Sequence, residues 1–183
     1  MVFAPDNGMA TGELLGVTNQ QALRFFYERL VDVIDETDPP RDELLYNASV
    51  LAHFATTSIA SDTFPACPAS LSTVFDLYVM DREALARDPG VVEAAASQCL
   101  LLTGFFQDQQ KNRHQIAWYT NLGSGFFLQA AQLTSDPRRG RLMAVMARRF
   151  MFWRDQQHHL AIELREAPLL IAPLRAAAPP RIM

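Results

Sequence analysis

Three ionisable residues recur at four-residue spacing near the carboxyl end of the chain: Asp155, His159 and Glu163. On a helix this spacing places all three side chains on one face, where carboxylates and an imidazole could bind a metal ion or transfer a proton. The same side of the helix carries Arg141 and Arg148, which marks it as solvent-facing, and charged residues four apart stabilise a solvated helix by pairing. The spacing matches neither His-Glu-x-x-His nor Glu-x-x-His, so we predict no metal site.

The two cysteines do not indicate a nucleophile or a disulfide framework. Cys67 precedes a proline in an expected loop, and Cys99 lies in the apolar arc of an expected helix, where it acts as a small hydrophobic residue. A thiolate nucleophile needs a neighbouring base and an electropositive setting, and the sequence places no histidine beside either thiol. We therefore expect no cysteine-based catalysis, and the low cysteine count favours a reducing compartment.

Polar residues inside apolar helices raise the alternative of a small-molecule pocket. Gln98 falls between Cys99 and Leu102 on the expected helix face, and Tyr119 falls on the packed side of the following helix. Buried polar groups need partners, so these side chains either bond each other or backbone carbonyls, or they orient an apolar ligand between the helices. This hypothesis of a ligand- or cofactor-binding bundle, which includes an enzyme, places the pocket around Gln98, His114, Trp118 and Tyr119.

The run Phe150-Met151-Phe152-Trp153 predicts an interface. Successive helical residues point about 100° apart, so one core face cannot hold four large side chains. Phe150 and Trp153 match the core arc, whereas Met151 and Phe152 do not. Either other helices wrap that point, or the helix contributes to an interface, where aromatic residues, Met and Arg are enriched. We predict a self-association surface, and a two-fold dimer because such dimers are commonest, at Arg148, Met151 and Phe152.

Helix starts are marked by N-terminal caps. Asp88 and Asp136 each precede a proline, so each supplies an acceptor before a first helical residue whose missing N–H costs nothing. Thr18 and Gln21 have the spacing of a capping box, in which each side chain satisfies the other residue's backbone N–H.

These signals predict an all-α, single-domain bundle of about six helices, because no segment alternates with the period of a strand. The helix over 89–108 is apolar nearly all round, so we place it at the centre of the bundle. Residues 1–17 form an N-terminal extension and residues 18–166 the helical domain. We expect the Pro-rich, apolar tail over 167–183 to pack on its own domain or to dock on a second copy or another protein. The expected helices cover residues 18–36, 41–60, 70–80, 89–108, 112–134 and 137–166.

The segment Gly123-Ser124-Gly125 is interpreted as a helix-packing site. Counting outward from the turn between the two longest apolar helices sets Gly123 opposite Ala96 and Ser97, and small residues let helix axes approach closely. A phosphate-binding loop would instead need glycines spaced before Lys-Ser/Thr, after a strand.

The two halves of the chain carry opposite charge. Residues 1–110 hold sixteen acidic and five basic residues, and residues 111–183 hold eleven basic and four acidic ones, which gives net charges of −11 and +7. The basic side chains are interpreted as a solvated helix face that pairs with the acidic half, or as one of two complementary patches for self-association. An acidic chain without a recognition motif lacks the footprint of nucleic-acid binders, so we do not predict nucleic-acid binding. On the predicted last helix, one side carries Arg138, Arg141, Arg148 and Arg149.

Length and hydropathy indicate the cellular compartment in which the protein functions. At 183 residues it can bury a sizeable core without disulfides. The first residues lack the basic and then apolar order of a signal peptide, and the longest apolar region, 94–106, is too short to span a bilayer. We expect a cytoplasmic, non-enzymatic interaction or adaptor protein that self-associates as a homodimer, open to a further protein partner, with no cofactor and no membrane contact.

Overall fold

The computed structural model describes residues 19–35, 40–60, 87–109 and 113–167. Within these ranges the chain forms six α-helices and no strand, so the predicted all-α bundle is confirmed. A 3-10 turn, Gln107–Gln109, follows the third helix. The helices are α1 (Asn19–Val33), α2 (Arg41–Ala60), α3 (Pro89–Thr103), α4 (Arg113–Leu133), α5 (Pro137–Arg148) and α6 (Phe150–Glu166).

Both predicted Asp-Pro helix starts are confirmed. Oδ1 of Asp88 accepts the backbone N–H of Gly90 at 2.8 Å, and Oδ1 of Asp136 accepts that of Arg138 at 2.9 Å. Each carboxylate therefore satisfies a backbone donor that has no partner inside its helix. Thr18 of the predicted capping box lies outside the described residues.

The predicted central helix is confirmed as α3, but it ends at Thr103 instead of residue 108. Gly104 follows it, and a Cβ atom added there would lie 2.9 Å from the carbonyl oxygens of both Leu100 and Arg154. Only glycine fits so close to the backbone of α6, and the chain then turns away toward α4. The bundle consists of the hairpins α1–α2, α3–α4 and α4–α5, with α6 packed against α1 and α3.

The α3–α4 contact is closest at Gly123. A Cβ atom added to this residue would lie 2.6 Å from the Cβ atom of Cys99 and 2.7 Å from the ring of Phe150. The packing interpretation of Gly123 is therefore confirmed. Its nearest contact on α3 is Cys99, which follows the predicted Ala96 and Ser97 by less than one helical turn.

The predicted last helix is interrupted at Arg149, whose φ of −100° and ψ of 18° leave the helical region. The Ser124 hydroxyl of α4 donates to the carbonyl oxygen of Ala147 at 3.0 Å, which supplies a donor to an acceptor at the end of α5. The chain resumes as α6 directly after Arg149, and Phe150 and Trp153 are fully buried, as predicted. The predicted helix over 70–80 lies outside the described residues, as do all but the first residue of the 167–183 tail.

Ion pairs connect the basic half of the chain to the acidic half, which confirms the intramolecular interpretation for three arginines. The interruption also corrects one prediction, since Arg149 leaves the solvent side of the helix and turns toward buried Glu43. Arg138, Arg141 and Arg148 have exposed side chains. The three pairs are Arg139 with Glu93, Arg149 with Glu43, and Arg165 with Asp108.

Candidate functional site

The residues of the predicted pocket occupy different environments. Tyr119 is buried, and its phenol has a raised pKa because of burial and of the neighbouring Cys99 thiol, the residue after Gln98. The Trp118 ring meets the Tyr119 ring edge-on, with centroids 4.7 Å apart, but its side chain is 43 % exposed. His114 lies in the first turn of α4, and its side chain is outside the described part of the structure. The structure therefore brings Tyr119 to the α3 contact that Gln98 adjoins and leaves Trp118 on the surface.

Two buried oxygen atoms on α3 and α4 have no hydrogen-bond partner in the part of the chain that the structure describes. They are Oε1 of Gln98 and Oγ1 of Thr120. An unpartnered buried acceptor or donor costs about 1–3 kcal/mol, so each atom marks a position that a water molecule or a ligand group would stabilise.

The thiol of Cys99 is unreactive in the folded protein, as its position on the apolar side of the helix predicted. Its side chain is fully buried, and burial raises the pKa of its thiol to about 12. A thiol with that pKa is protonated at neutral pH, and the thiolate is the reactive form. Cys67 lies outside the described residues.

A buried polar network joins α2 to α6. The indole Nε1 of Trp153 donates to Oε2 of Glu43 at 2.6 Å, and Nε2 of Gln157 donates to Oδ1 of Asn47 at 3.1 Å. Nδ2 of Asn47 also donates to the carbonyl oxygen of Glu43 at 2.9 Å and lies 3.6 Å from Sδ of Met146. Four of these side chains are entirely inaccessible to solvent and Glu43 is 5 % accessible, so the network fixes the angle between α2 and α6.

Arg149 extends this network to the surface. Its Nη1 lies 3.4 Å from Oε1 of Glu43, and its guanidinium carbon lies 4.3 Å above the ring centroid of Phe152. Stacking of a guanidinium on an aromatic ring adds to the ionic contact. The buried carboxylate therefore holds Arg149, and Arg149 holds Phe152.

Sequence analysis missed the network, although a signal for it is present. Glu43 and Asn47 are four residues apart and immediately precede two core residues of the apolar face of α2, Leu44 and Ala48. Gln157 likewise follows the core residue Trp153 by one turn on the last helix. Polar side chains beside the core residues of a helix indicate a buried hydrogen-bond network.

The predicted interface residues lie together where α5 meets α6, and we refer to Arg148, Met151 and Phe152 as the junction patch. Met151 is 51 % exposed and Arg148 is exposed. Phe152 is half-buried: one side of its ring packs edge-on against Trp153, with centroids 5.2 Å apart, and Arg149 covers part of the rest. The patch thus presents an apolar side chain and an arginine on a rigid base.

A second surface adjoins the junction patch, and we refer to its residues Asn121, Gly125, Leu128 and Gln132 as the outer face of α4. All four are exposed, and Leu128 is 51 % exposed. The chain has no charged residue from position 115 to position 134, whereas the solvent face of a surface helix is normally rich in charge. Gly125 differs from Gly123, because a Cβ atom added to it would meet no atom of the described residues within 4 Å.

At the opposite end of α6, Asp108 of the 3-10 turn pairs with Arg165 and lies 3.7 Å from Nε2 of His158. The hydrogen bond from Arg165 lowers the pKa of the Asp108 carboxyl, and His158 adds to this effect. Nδ1 of His158 is buried and has no partner among the described residues. These contacts hold the carboxyl-terminal half of α6 against the 3-10 turn that follows α3.

Among the described residues no three His, Cys, Asp or Glu side chains converge as metal ligands would. Asp155 of the predicted line of ionisable residues pairs with the adjacent Arg154 at 2.7 Å. No described helix has the length and the apolar content that crossing a membrane requires. The chain matches no protein-family model, and no curated protein or solved structure is significantly similar to it.

Proposed function

We propose that this chain is a non-enzymatic helical interaction or adaptor protein that self-associates through the junction patch. The observation that carries the proposal is the half-exposed Met151 beside Arg148, on a helix junction whose inner side is locked into the core. A methionine can repack against a partner's side chains, and arginine is enriched in the cores of protein interfaces.

The rigidity of the patch supports binding. Glu43 is buried and holds both Trp153 and Arg149, and Arg149 holds Phe152. A surface that is already fixed in the free protein loses less conformational entropy when a partner binds, so more of the contact energy appears as affinity.

Sedimentation equilibrium of two matched variants tests the proposal. Met151→Glu places a charge in the patch and is expected to weaken self-association at least tenfold, since a buried unpaired charge opposes binding. Val31→Glu, at a position 42 % exposed on α1, introduces the same charge elsewhere and is expected to leave the association constant unchanged. Equal effects of the two variants, or a wild-type protein that stays monomeric, would exclude the junction patch.

A second candidate, a small-molecule-binding bundle, is favoured by one observation: the unpartnered Oε1 of Gln98 and Oγ1 of Thr120 on the two packed helices. A ligand that donates hydrogen bonds to these atoms would raise the Tm of the wild-type protein by mass action. Gln98→Leu is expected to abolish that rise, whereas Gln132→Leu, on the outer face of α4, is expected to retain it. A ligand screen without any Tm rise in the wild type counts against this candidate.

We also propose a reducing, cytoplasmic compartment. The free and buried thiol of Cys99 supports this location, because disulfides form and persist mainly in oxidising compartments.

A further inference from the structure

We infer that the partner at this surface is a second copy of the chain, whose α4 packs in parallel against the outer face of α4 with Gly125 at the point of closest approach. The inference rests on the proposed self-association and adds the helices, the orientation and the contact residues. The junction patch then forms part of the same interface.

Gly125 is the first observation in favour of this α4–α4 contact, which we call the seam. Glycine is the least favourable residue in a helix interior apart from proline, and close packing explains it at Gly123, where a Cβ atom would collide with Cys99 and Phe150. Among the described residues no such contact exists at Gly125, where an added Cβ atom would meet none of their atoms within 4 Å. A second helix crossing at this position would use that space, since a residue without a Cβ atom lets two helix axes approach closely.

The spacing of the outer face is the second observation. Asn121, Gly125, Leu128 and Gln132 are separated by four, three and four residues, which is the repeat of the seam between two parallel helices. In a parallel two-fold pair each seam residue meets its own copy. Asn121 suits such a position, because its amide both donates and accepts and can therefore bond an identical side chain.

Charge favours a second copy over an unrelated partner. A face that carries charge of one sign repels its own copy, whereas positions 115–134 carry none. An uncharged face is electrostatically compatible with itself and offers no charged group to an acidic or a basic partner.

Charge also selects the parallel orientation. Ser124 bonds α5 along one edge of the outer face, and the exposed arginines of α5 include Arg138, Arg141 and Arg148. An antiparallel pair would set α5 opposite α5 of the second copy, so these arginines would face one another. A parallel pair sets α5 opposite α3 of the second copy, whose exposed Asp88 lies at the same end of the bundle as Arg138.

A stable dimer requires more than the outer face of α4 alone. α4 has 21 residues, so it is about 31 Å long. Each partner in a typical stable complex buries about 800 Å², so an interface along the whole of α4 must be about 25 Å wide and must include the junction patch and the edges of the flanking helices. Ser124, next to Gly125 on α4, bonds Ala147, next to Arg148 on α5, so the two surfaces lie near each other.

The first test compares substitutions on and off the seam by sedimentation equilibrium and thermal unfolding. Gly125→Ala is expected to raise the Tm of the monomer and to weaken the dimer about tenfold, and Gly125→Arg to abolish the dimer without unfolding the protein. Leu128→Arg is expected to disrupt the dimer, whereas Leu45→Arg, at an equally exposed leucine of α2, is expected to leave it intact.

The second test is disulfide cross-linking in a Cys67→Ser background, in which only the buried Cys99 remains. Asn121→Cys is expected to form a covalent dimer under mild oxidation, because residue 121 faces its own copy in the parallel pair. Ala94→Cys, exposed on α3, is expected to form none.

The outcomes separate this inference from the proposed function. A dimer that Met151→Glu disrupts but Gly125→Arg and Leu128→Arg do not, without cross-linking at position 121, would overturn the seam and leave self-association standing. A wild-type monomer at all concentrations would overturn both. Loss of monomer stability in Gly125→Arg without a dimer to lose would show that the chain's own residues cover this face, which also overturns the seam.

Discussion

Glu43 makes the strongest single prediction about stability, because two neighbouring acidic residues provide their own control. Asp42 and Glu43 both lie in the first turn of α2, where a negative charge interacts favourably with the helix dipole. Asp42 is exposed, whereas Glu43 is buried and accepts the indole N–H of Trp153 at 2.6 Å. The difference between the two positions therefore isolates the buried hydrogen bond and the contact with Arg149.

The expected loss of stability follows from the groups that lose their hydrogen-bond or ionic partner. Glu43→Ala leaves the N–H of Trp153 buried without an acceptor, which costs about 1–3 kcal/mol. Loss of the 3.4 Å contact with Arg149, whose side chain is partly exposed, adds no more than about 1 kcal/mol. We expect a decrease in the free energy of unfolding of about 1–4 kcal/mol for Glu43→Ala and about 1 kcal/mol for Glu43→Gln, which retains an acceptor for Trp153.

Urea denaturation, followed by tryptophan fluorescence, measures these changes. Asp42→Ala is expected to cost only the dipole contribution, about 0.3–1 kcal/mol. Glu43→Ala should also weaken self-association, because Arg149 then no longer holds Phe152 against the core. A free energy of unfolding for Glu43→Ala equal to that for Asp42→Ala would refute the role assigned to the buried network.

Further measurements test other contacts. Gly123→Ala is expected to lower the free energy of unfolding by about 1–3 kcal/mol, because its Cβ atom would overpack the core, and an unchanged or higher value would contradict the close α3–α4 contact. Burial raises the pKa of the Cys99 thiol in the folded state to about 12. The contribution of the protonated thiol to the free energy of unfolding is therefore complete below its unfolded-state pKa of about 8.5 and is lost as the pH rises toward 12. Cys99→Ala should abolish this part of the loss of stability at high pH. In a Cys67→Ser background the native protein should react with a thiol reagent at pH 8 only as fast as it unfolds, and rapid labelling would contradict the burial of Cys99. Arg165→Gln should raise the pKa of Asp108 toward its ordinary value in a carboxyl NMR titration, and an unshifted pKa would contradict the ion pair.

Local signals predicted most of the fold. Asp88 and Asp136 marked the starts of α3 and α5, because a capping carboxylate and a following proline act within one helical turn. The apolar arc of α3 identified the central helix, since a helix apolar on most sides must be surrounded. These predictions succeeded because each depends on residues close in sequence.

The errors arose where distant residues determine the structure. The predicted last helix is interrupted at Arg149, whose side chain meets Glu43, more than a hundred residues earlier, and Ser124 bonds the Ala147 carbonyl just before the interruption. No local pattern contains those contacts. A wheel drawn through a straight helix consequently placed Arg149 on the solvent side.

The candidate surfaces were only partly predictable. The Phe150–Trp153 run identified the junction patch through its excess of large side chains, which is a local property. The sequence did not identify the outer face of α4, because the exposure of Gly125 and Leu128 depends on which side of α4 the other helices cover. Sequence alone explains Gly123 and Gly125 in the same way, and only the packed structure separates them.

The most direct test of the account is the mass of the wild-type protein in solution, measured by sedimentation equilibrium from about 1 to 100 µM. The account predicts that the mass rises with concentration from the 20.5 kDa of one chain to twice that value. Met151→Glu should remain at the mass of one chain over the same range. A wild-type mass of one chain at every concentration would contradict the central claim that this protein self-associates.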